Sequence, residues 1–239
     1  MHEYAVQRRR RGALALLALA TCAPGLLLTR EARAQLAAIS SSDASAALKT
    51  ALESGAATAV QLLGQTDGFW GNDKLRIPLP DWLRRAERAL KLAGKGADVD
   101  ALKVGINRAA EQAVPEAKTL LTDAVRSMTV ADAKAILTGG DDSVTRFFAD
   151  KTRAPLTTKF LPIVTQTTEK IGLAQQYNAL ADQAGRFGAG GNVVRIENYV
   201  TDKALDGLFL VIGEEERKLR ANPLGASSEI VRKVFGALK

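Results

Sequence analysis

Asp202 and Asp206 stand four residues apart in the stretch YVTDKALDGLFLVIGEEERKLRANP. On a helix that spacing puts them on one face, beside the apolar Leu205 and Phe209. Two carboxylates against an apolar wall can hold one proton between them, or bind a hard cation such as Ca²⁺ or Mg²⁺. The same residues also fit a plainer arrangement. Asp202 would favour the helix dipole from the first turn, and Asp206 would pair with an Arg or Lys from another element. Structural ion pairs outnumber sites, so the plainer arrangement carries more weight.

A second polar group, Asn107, Arg108, Glu111, Gln112 and Glu116, surrounds Pro115. Asn107 and Glu111 share a face, as do Arg108 and Gln112. They could line a pocket between helices, or form a hydrogen-bonded network that holds a proline kink. Phe69, Trp70 and Trp82 flank Ile77-Pro78-Leu79-Pro80. These aromatics would make either a lip for an apolar ligand or partner protein, or pins fixing a long connection to the body. In Glu214-Glu215-Glu216-Arg217-Lys218 adjacent acids spread around a helix by about 100° each, so they cannot converge on one ion. Glu214 with Lys218 and Glu216 with Arg220 read as four-residue pairs on a solvated face. Gly185, Gly188, Gly190 and Gly191 lack the strand-to-helix context and the following Lys-Ser/Thr of a nucleotide loop.

The chain has 239 residues with one histidine, His2, and one cysteine, Cys22. Both fall in a stretch built like an export signal: Arg8-Arg9-Arg10-Arg11, a short apolar run from Gly12 to Ala20, then Ala32-Arg33-Ala34. Pro24 and Gly25 interrupt the apolar residues, which fall short of the ~20 needed to span a bilayer as a helix. Cleavage after Ala34 would start the working chain at Gln35. Leu19-Ala20-Thr21-Cys22 offers a competing lipoprotein box, although Thr21 replaces the usual small residue before the cysteine. The arginine pair followed by Leu14 fits a twin-arginine route loosely, and the general secretory route equally well.

Cleavage after Ala34 removes every imidazole and thiol. It thereby excludes Ser-His-Asp and Cys-His catalysis, His- or Cys-built zinc sites, and disulfides. The formal charge of +7 shrinks as well: residues 1–34 hold six Arg against two Glu, leaving 27 basic and 24 acidic residues behind. With no basic stripe interleaved with aromatics, nucleic acid is not an expected partner.

The elements that would position these residues are helices. After a short linker at 35–42, residues 43–238 read as an all-α, single-domain multi-helix bundle with proline-broken helices. The first helix, Asp43 to Leu63 with Ser42 as N-cap, carries Leu48, Leu52, Ala56, Ala59 and Leu63 on one face. Turns at Asp67-Gly68 and Gly71-Asn72 lead to Pro80, which opens a helix whose Leu83, Ala86, Leu90 and Ala93 face inward until Gly94 and Gly96 stop it. Residues 98–128 are helical with a break near Val114, because Pro115 costs about 3 kcal/mol inside a continuous helix. Thr129 caps a short helix ending at Gly139-Gly140, and Asp141 to Ile171 divides into two or three pieces at Pro155 and Pro162. Leu173 to Ala184 is amphipathic, Val193, Val194 and Ile196 are extended, and Asn198 caps a helix from Tyr199 to Arg220. The apolar face of that helix is wide enough for burial on more than one side. Ser228 to Leu238 forms a last short helix.

DGFWGNDKLRIPLPDWL, NRAAEQAVPEAK and YVTDKALDGLFLVIGEEERKLRANP resemble, in order, three signature blocks of the exported bacterial family known as domain of unknown function 4197. The resemblance spans Ser41 to Gly236 and departs in the glycine-rich stretch near Gly185 to Gly191. It implies export and a helical fold, and brings no reaction, cofactor or catalytic residue with it. The expected role is non-catalytic binding or scaffolding in the periplasm, with an envelope protein or an apolar small molecule as partner and no cofactor. Two other readings stay open. One is a carboxylate- or divalent-metal-dependent enzyme using Asp202 and Asp206. The other is a lipid-anchored factor that meets the membrane only through Cys22.

Overall fold

A computed structural model describes residues 41–186 and 194–221. Every regular element in them is helical, in a single all-α body: α1 Ser41–Gly64, α2 Asp81–Leu90, α3 Gly96–Ala113, α4 Ala117–Arg126, α5 Val130–Thr138, α6 Ser143–Lys170, α7 Leu173–Arg186 and α8 Ile196–Ala221. The leader with His2 and Cys22, the glycine-rich stretch and the expected C-terminal helix lie outside the described residues.

α8 is the axis of the bundle. It buries Val200, Ala204, Leu205, Leu208, Phe209, Val211 and Ile212 around much of its circumference. It packs most extensively against α6, and also meets α1, α3 and α7. The wide apolar face read from the sequence therefore does bury on several sides. α3 is the second inner helix, with Val99, Leu102, Ile106, Ala109, Ala110 and Ala113 excluded from solvent. Small residues set the close approaches. A Cβ on Gly207 of α8 would come within 2.5 Å of Cε1 of the fully buried Phe69, so that ring occupies the space a side chain would need.

Local signals fixed several boundaries. Thr129 accepts from the Asp132 amide at 3.1 Å while the Asp132 carboxylate accepts from the Thr129 amide at 2.9 Å, a reciprocal cap that starts α5. Pro115 falls in a single 3₁₀ turn, Val114–Glu116, where the tighter turn absorbs the missing amide between α3 and α4. Gly94 takes a left-handed backbone (φ 81°) at the end of α2.

Other boundaries moved. α1 begins at Ser41, inside the expected linker, so Ser42 is helical and does not precede the helix. α2 runs into a π turn, Lys91–Lys95, and Gly96 opens α3 where a stop was expected. The helical path breaks inside that turn at the left-handed Gly94, so Gly94 does stop the helix, and Ala93 at the break faces outward. α6 is one continuous 28-residue helix with both prolines inside it. Pro155 and Pro162 are seven residues apart, on one exposed face. Each proline frees the carbonyl four residues back toward water, while Phe148, Leu156, Phe160 and Val164 on the opposite face stay packed. α8 starts at Ile196, so that residue is helical and Asn198 lies within the helix.

The largest departure is Glu216, placed on a solvated face by the sequence and buried in the structure, its side chain 1% exposed. Its carboxylate accepts from the backbone amides of Val144 (3.0 Å) and Thr145 (3.1 Å) and from the Thr145 hydroxyl (3.0 Å). It thus caps the N-terminus of α6 from α8, where an anion is favoured by unpaired amides and the helix dipole. Arg220 balances the charge at 2.9 Å and donates as well to the Ile136 carbonyl and the Ser143 hydroxyl, tying in the α5–α6 connection. Replacing Glu216 with Ala should cost about 3–5 kcal/mol, because it strands Arg220, the buried Val144 amide and the partly buried Thr145 amide, whereas Glu216→Gln should cost less. Urea titration of the three chains checks both the size and the order.

Candidate binding site

Residues 65–80 cross the bundle without a helix, and α3 holds them by their backbone. The Asn107 side chain accepts from the Ile77 amide at 2.8 Å and donates to the carbonyls of Ile77 (3.0 Å) and Lys103 (2.9 Å). One turn on, Glu111 Oε1 accepts from the amides of both Phe69 and Trp70 at 3.1 Å. Glu111 Oε2 meets Arg108 at 2.7 Å, and Arg108 reaches Asp67 at 2.7 Å. Asn107 and Glu111 are both buried, where an unpaired amide or carboxylate would be costly, so each bond to the loop also satisfies a group of α3. The hydrogen bonds with Glu111 and Asp67, in that order, hold the Arg108 guanidinium above its ordinary pKa.

Three of the four residues singled out on α3, Asn107, Arg108 and Glu111, therefore converge, and they converge on the connection rather than on the Pro115 kink. Gln112 instead accepts from the Thr167 hydroxyl of α6 at 3.1 Å, and Glu116 is exposed. Asp67, not its neighbour Gly68, takes the left-handed backbone (φ 67°). At position 68 a Cβ would sit 2.5 Å from the Leu62 carbonyl oxygen, so close approach is what requires glycine there.

The aromatics divide by burial. Phe69 is fully buried beneath Gly207, and Trp82 is buried edge-on to Tyr177 with centroids 5.3 Å apart. Trp82 Nε1–H donates to the Tyr177 hydroxyl at 3.0 Å, which donates to the Val194 carbonyl at 2.8 Å. Trp70 remains half-buried, with the Arg76 guanidinium 4.9 Å over its ring and the Arg76 Nε donating to the Trp70 carbonyl at 2.8 Å. Tyr199 closes the far end of the connection by donating to the Pro78 carbonyl at 2.9 Å.

Asp206 pairs with Arg153 of α6 at 2.7 Å and with Lys203 at 3.2 Å. Burial pushes its carboxyl upward, but the Arg153 and Lys203 hydrogen bonds together outweigh that and hold it below the ordinary range. Asp202 is exposed one turn earlier. Among the described residues no three His, Cys, Asp or Glu side chains gather as metal ligands. The only buried side-chain oxygen among them without a hydrogen-bond partner is Thr201 Oγ1.

One surface feature was not singled out from the sequence: a groove of about 450 Å³ lined by Arg84, Glu87, Arg88, Lys91 and Leu92 on the outer side of α2 and the π turn. Its signal was present. Arg84, Arg88 and Lys91 follow i, i+4, i+7 spacing opposite the buried Trp82, Leu83, Ala86 and Leu90. Glu87 is held below its ordinary pKa by the Lys103 hydrogen bond first and the Lys91 one second.

The comparisons bear on this arrangement. The family model described as a protein of unknown function (DUF4197) matches residues 38–236. The chain belongs to that family. Its matched region takes in every described helix, the clamped connection and the groove. No curated protein and no solved structure matches the chain. The family assignment agrees with the signature blocks read from the sequence.

Two outcomes follow from the clamp. Asn107→Ala should lose about 3 kcal/mol by leaving the Ile77 amide and carbonyl unpaired, and Asn107→Asp should lose at least as much, because it sets a buried carboxylate against the carbonyls of Ile77 and Lys103. Chemical denaturation measures both. Burial pushes the Tyr199 phenol up to about 12, with the nearby Asp81 carboxylate adding to the shift. The folded state thus holds the phenolic proton more tightly than the unfolded chain does. The associated stability is complete below the unfolded value of 10 and is lost as the pH climbs toward 12. A phenolate absorbance titration should show Tyr199 ionising only in that window, together with alkaline unfolding.

Proposed function

We propose that the chain is an exported helical protein of the bacterial envelope that acts by binding, as a scaffold or docking factor, and performs no chemistry of its own. The observation that carries this reading is how its buried acidic and amide side chains are employed. Glu111 and Glu216 each accept two backbone amides and each is balanced by an arginine of its own helix. Asn107 pairs with both polar groups of Ile77. A general acid or base must be free to exchange a proton with a substrate. These groups are instead spent holding one segment to another.

Export is supported by the basic, apolar and small-residue succession of residues 8–34. Among the described residues no helix is long and apolar enough to cross a membrane. A surface role is favoured over carriage of an apolar ligand inside the bundle, because Phe69, Phe148, Phe160 and Tyr177 already fill the interior with their rings.

Protein isolated from its native envelope tests both parts. Intact mass should correspond to a chain beginning at Gln35. A lipidated mass beginning at Cys22 would replace the soluble form with an anchored one, and a chain retaining His2 would overturn export. Metal analysis of the same material should find no stoichiometric divalent ion. A metal lost in Asp202→Ala and Asp206→Ala would overturn the non-catalytic reading.

A further inference from the structure

From the groove on α2 we infer that this face docks on an anionic phospholipid surface, with Arg84 and Arg88 meeting headgroup phosphates and Leu92 entering the boundary with the acyl chains. The inference rests on the envelope-binding reading above and names the surface bound.

Three observations converge on the same few residues. Leu92 is 83% exposed, the most exposed large apolar side chain among the described residues, and it stands in the π turn between Lys91 and Lys95. A single exposed leucine is ordinary by itself. Here it forms part of a groove whose other walls are the cations Arg84, Arg88 and Lys91, with Glu87 as the one acid. Next, the acids of the segment are already matched: Asp81 by Arg84 at 2.8 Å, Asp98 by Lys95 at 3.2 Å, Glu87 by Lys91 at 2.9 Å with Lys103 beneath it, and Asp100 by Lys103 at 3.5 Å and Lys91 at 3.7 Å. Arg88 makes no ion pair among the described residues, and Arg84 meets only the exposed Asp81, a surface pair worth little, so the groove presents guanidinium to an incoming anion. Finally, α2 buries Trp82, Leu83, Ala86 and Leu90 on its opposite side, which fixes the basic face outward on a rigid support.

The combination selects a lipid surface over a soluble acidic partner. Arginine forks suit phosphate oxygens in two-point contact, and long Arg and Lys stems let their charges stay at headgroup level while a short apolar tip goes deeper. A soluble acidic polypeptide would satisfy the guanidinium groups, whereas a bilayer also sets a continuous apolar layer directly beneath its anionic groups for Leu92. The contact is peripheral, with one leucine and a few cations, so binding is reversible and sensitive to salt.

Vesicle co-sedimentation tests it, with the native chain and its variants carrying the same N-terminus so that any leader or lipid contribution cancels. Vesicles of phosphatidylglycerol and phosphatidylethanolamine should bind the chain, and neutral phosphatidylcholine vesicles should bind it far less. Arg84→Gln with Arg88→Gln should weaken partitioning about 25-fold, at about fivefold per cation. Leu92→Ser should weaken it about tenfold. Both changes are on exposed positions, and unchanged helical circular dichroism shows that the fold persists. The inference is overturned if anionic vesicles leave the chain in the supernatant, if the variants bind as the parent does, or if soluble polyglutamate binds the same groove while vesicles do not. Failure there leaves the non-catalytic reading to be judged by mass and metal content.

Discussion

Buried carboxylates that accept backbone amides are the constraint on which the rest of the structure depends. Glu216 reaches from α8 to the start of α6, and Glu111 reaches from α3 to the connection after α1. Each sits on an inner helix and carries its counter-charge nearby, Arg220 four residues after Glu216 and Arg108 three residues before Glu111. Desolvating a carboxylate is expensive, and two amides plus a guanidinium are what make it tolerable. The same bonds settle amides at a helix start and in a long irregular segment, where intrahelical partners do not exist. Burial costs and orphan backbone groups are thus resolved against each other.

This logic explains how an irregular stretch of sixteen residues can lie across a helical core. Polar backbone at residues 65–80 would ordinarily confine such a segment to the surface. Asn107 and Glu111 supply side-chain partners for four of its backbone groups, and Tyr199 supplies one for Pro78. Phe69, Ile77 and Leu79 are then free to enter the core between the polar contacts, with Gly207 leaving the gap that Phe69 fills.

What was legible in the sequence was local. The reciprocal cap at Thr129 and Asp132, the break at Pro115 and the apolar periodicity of α1, α7 and α8 involve neighbours within one turn, so spacing reveals them. Glu216 was misplaced because pairing with Arg220 explains it equally well on a wet surface. Its position four and three residues beyond Ile212 and Gly213, and seven beyond Phe209, put it on the buried face and could have corrected the reading. Pro155 and Pro162 were read as breaks because each was weighed alone. Their seven-residue separation shows that both fall on one face, where water can satisfy the freed carbonyls. Asn107, Arg108 and Glu111 were recognised as a group, but their partner lies some thirty to forty residues away, and spacing along α3 cannot name it.

The division of charged residues between interior and surface then bears on what the molecule can offer outward. Among the groups singled out as chemically capable, Asn107, Arg108, Glu111 and Asp206 are each engaged by another segment of the same chain, and the ring of Phe69 is enclosed. Such contacts tie one segment to another, and the docking role proposed above would benefit, since a preformed face loses little conformational freedom on contact. α2 shows the consequence most directly. Its inner side is fixed by Trp82, whose indole N–H is held through Tyr177 to Val194, and its outer side carries arginines that the interior does not use. On the proposed docking role, the network that engages side chains inside the bundle also holds the outer arginines of α2 in place.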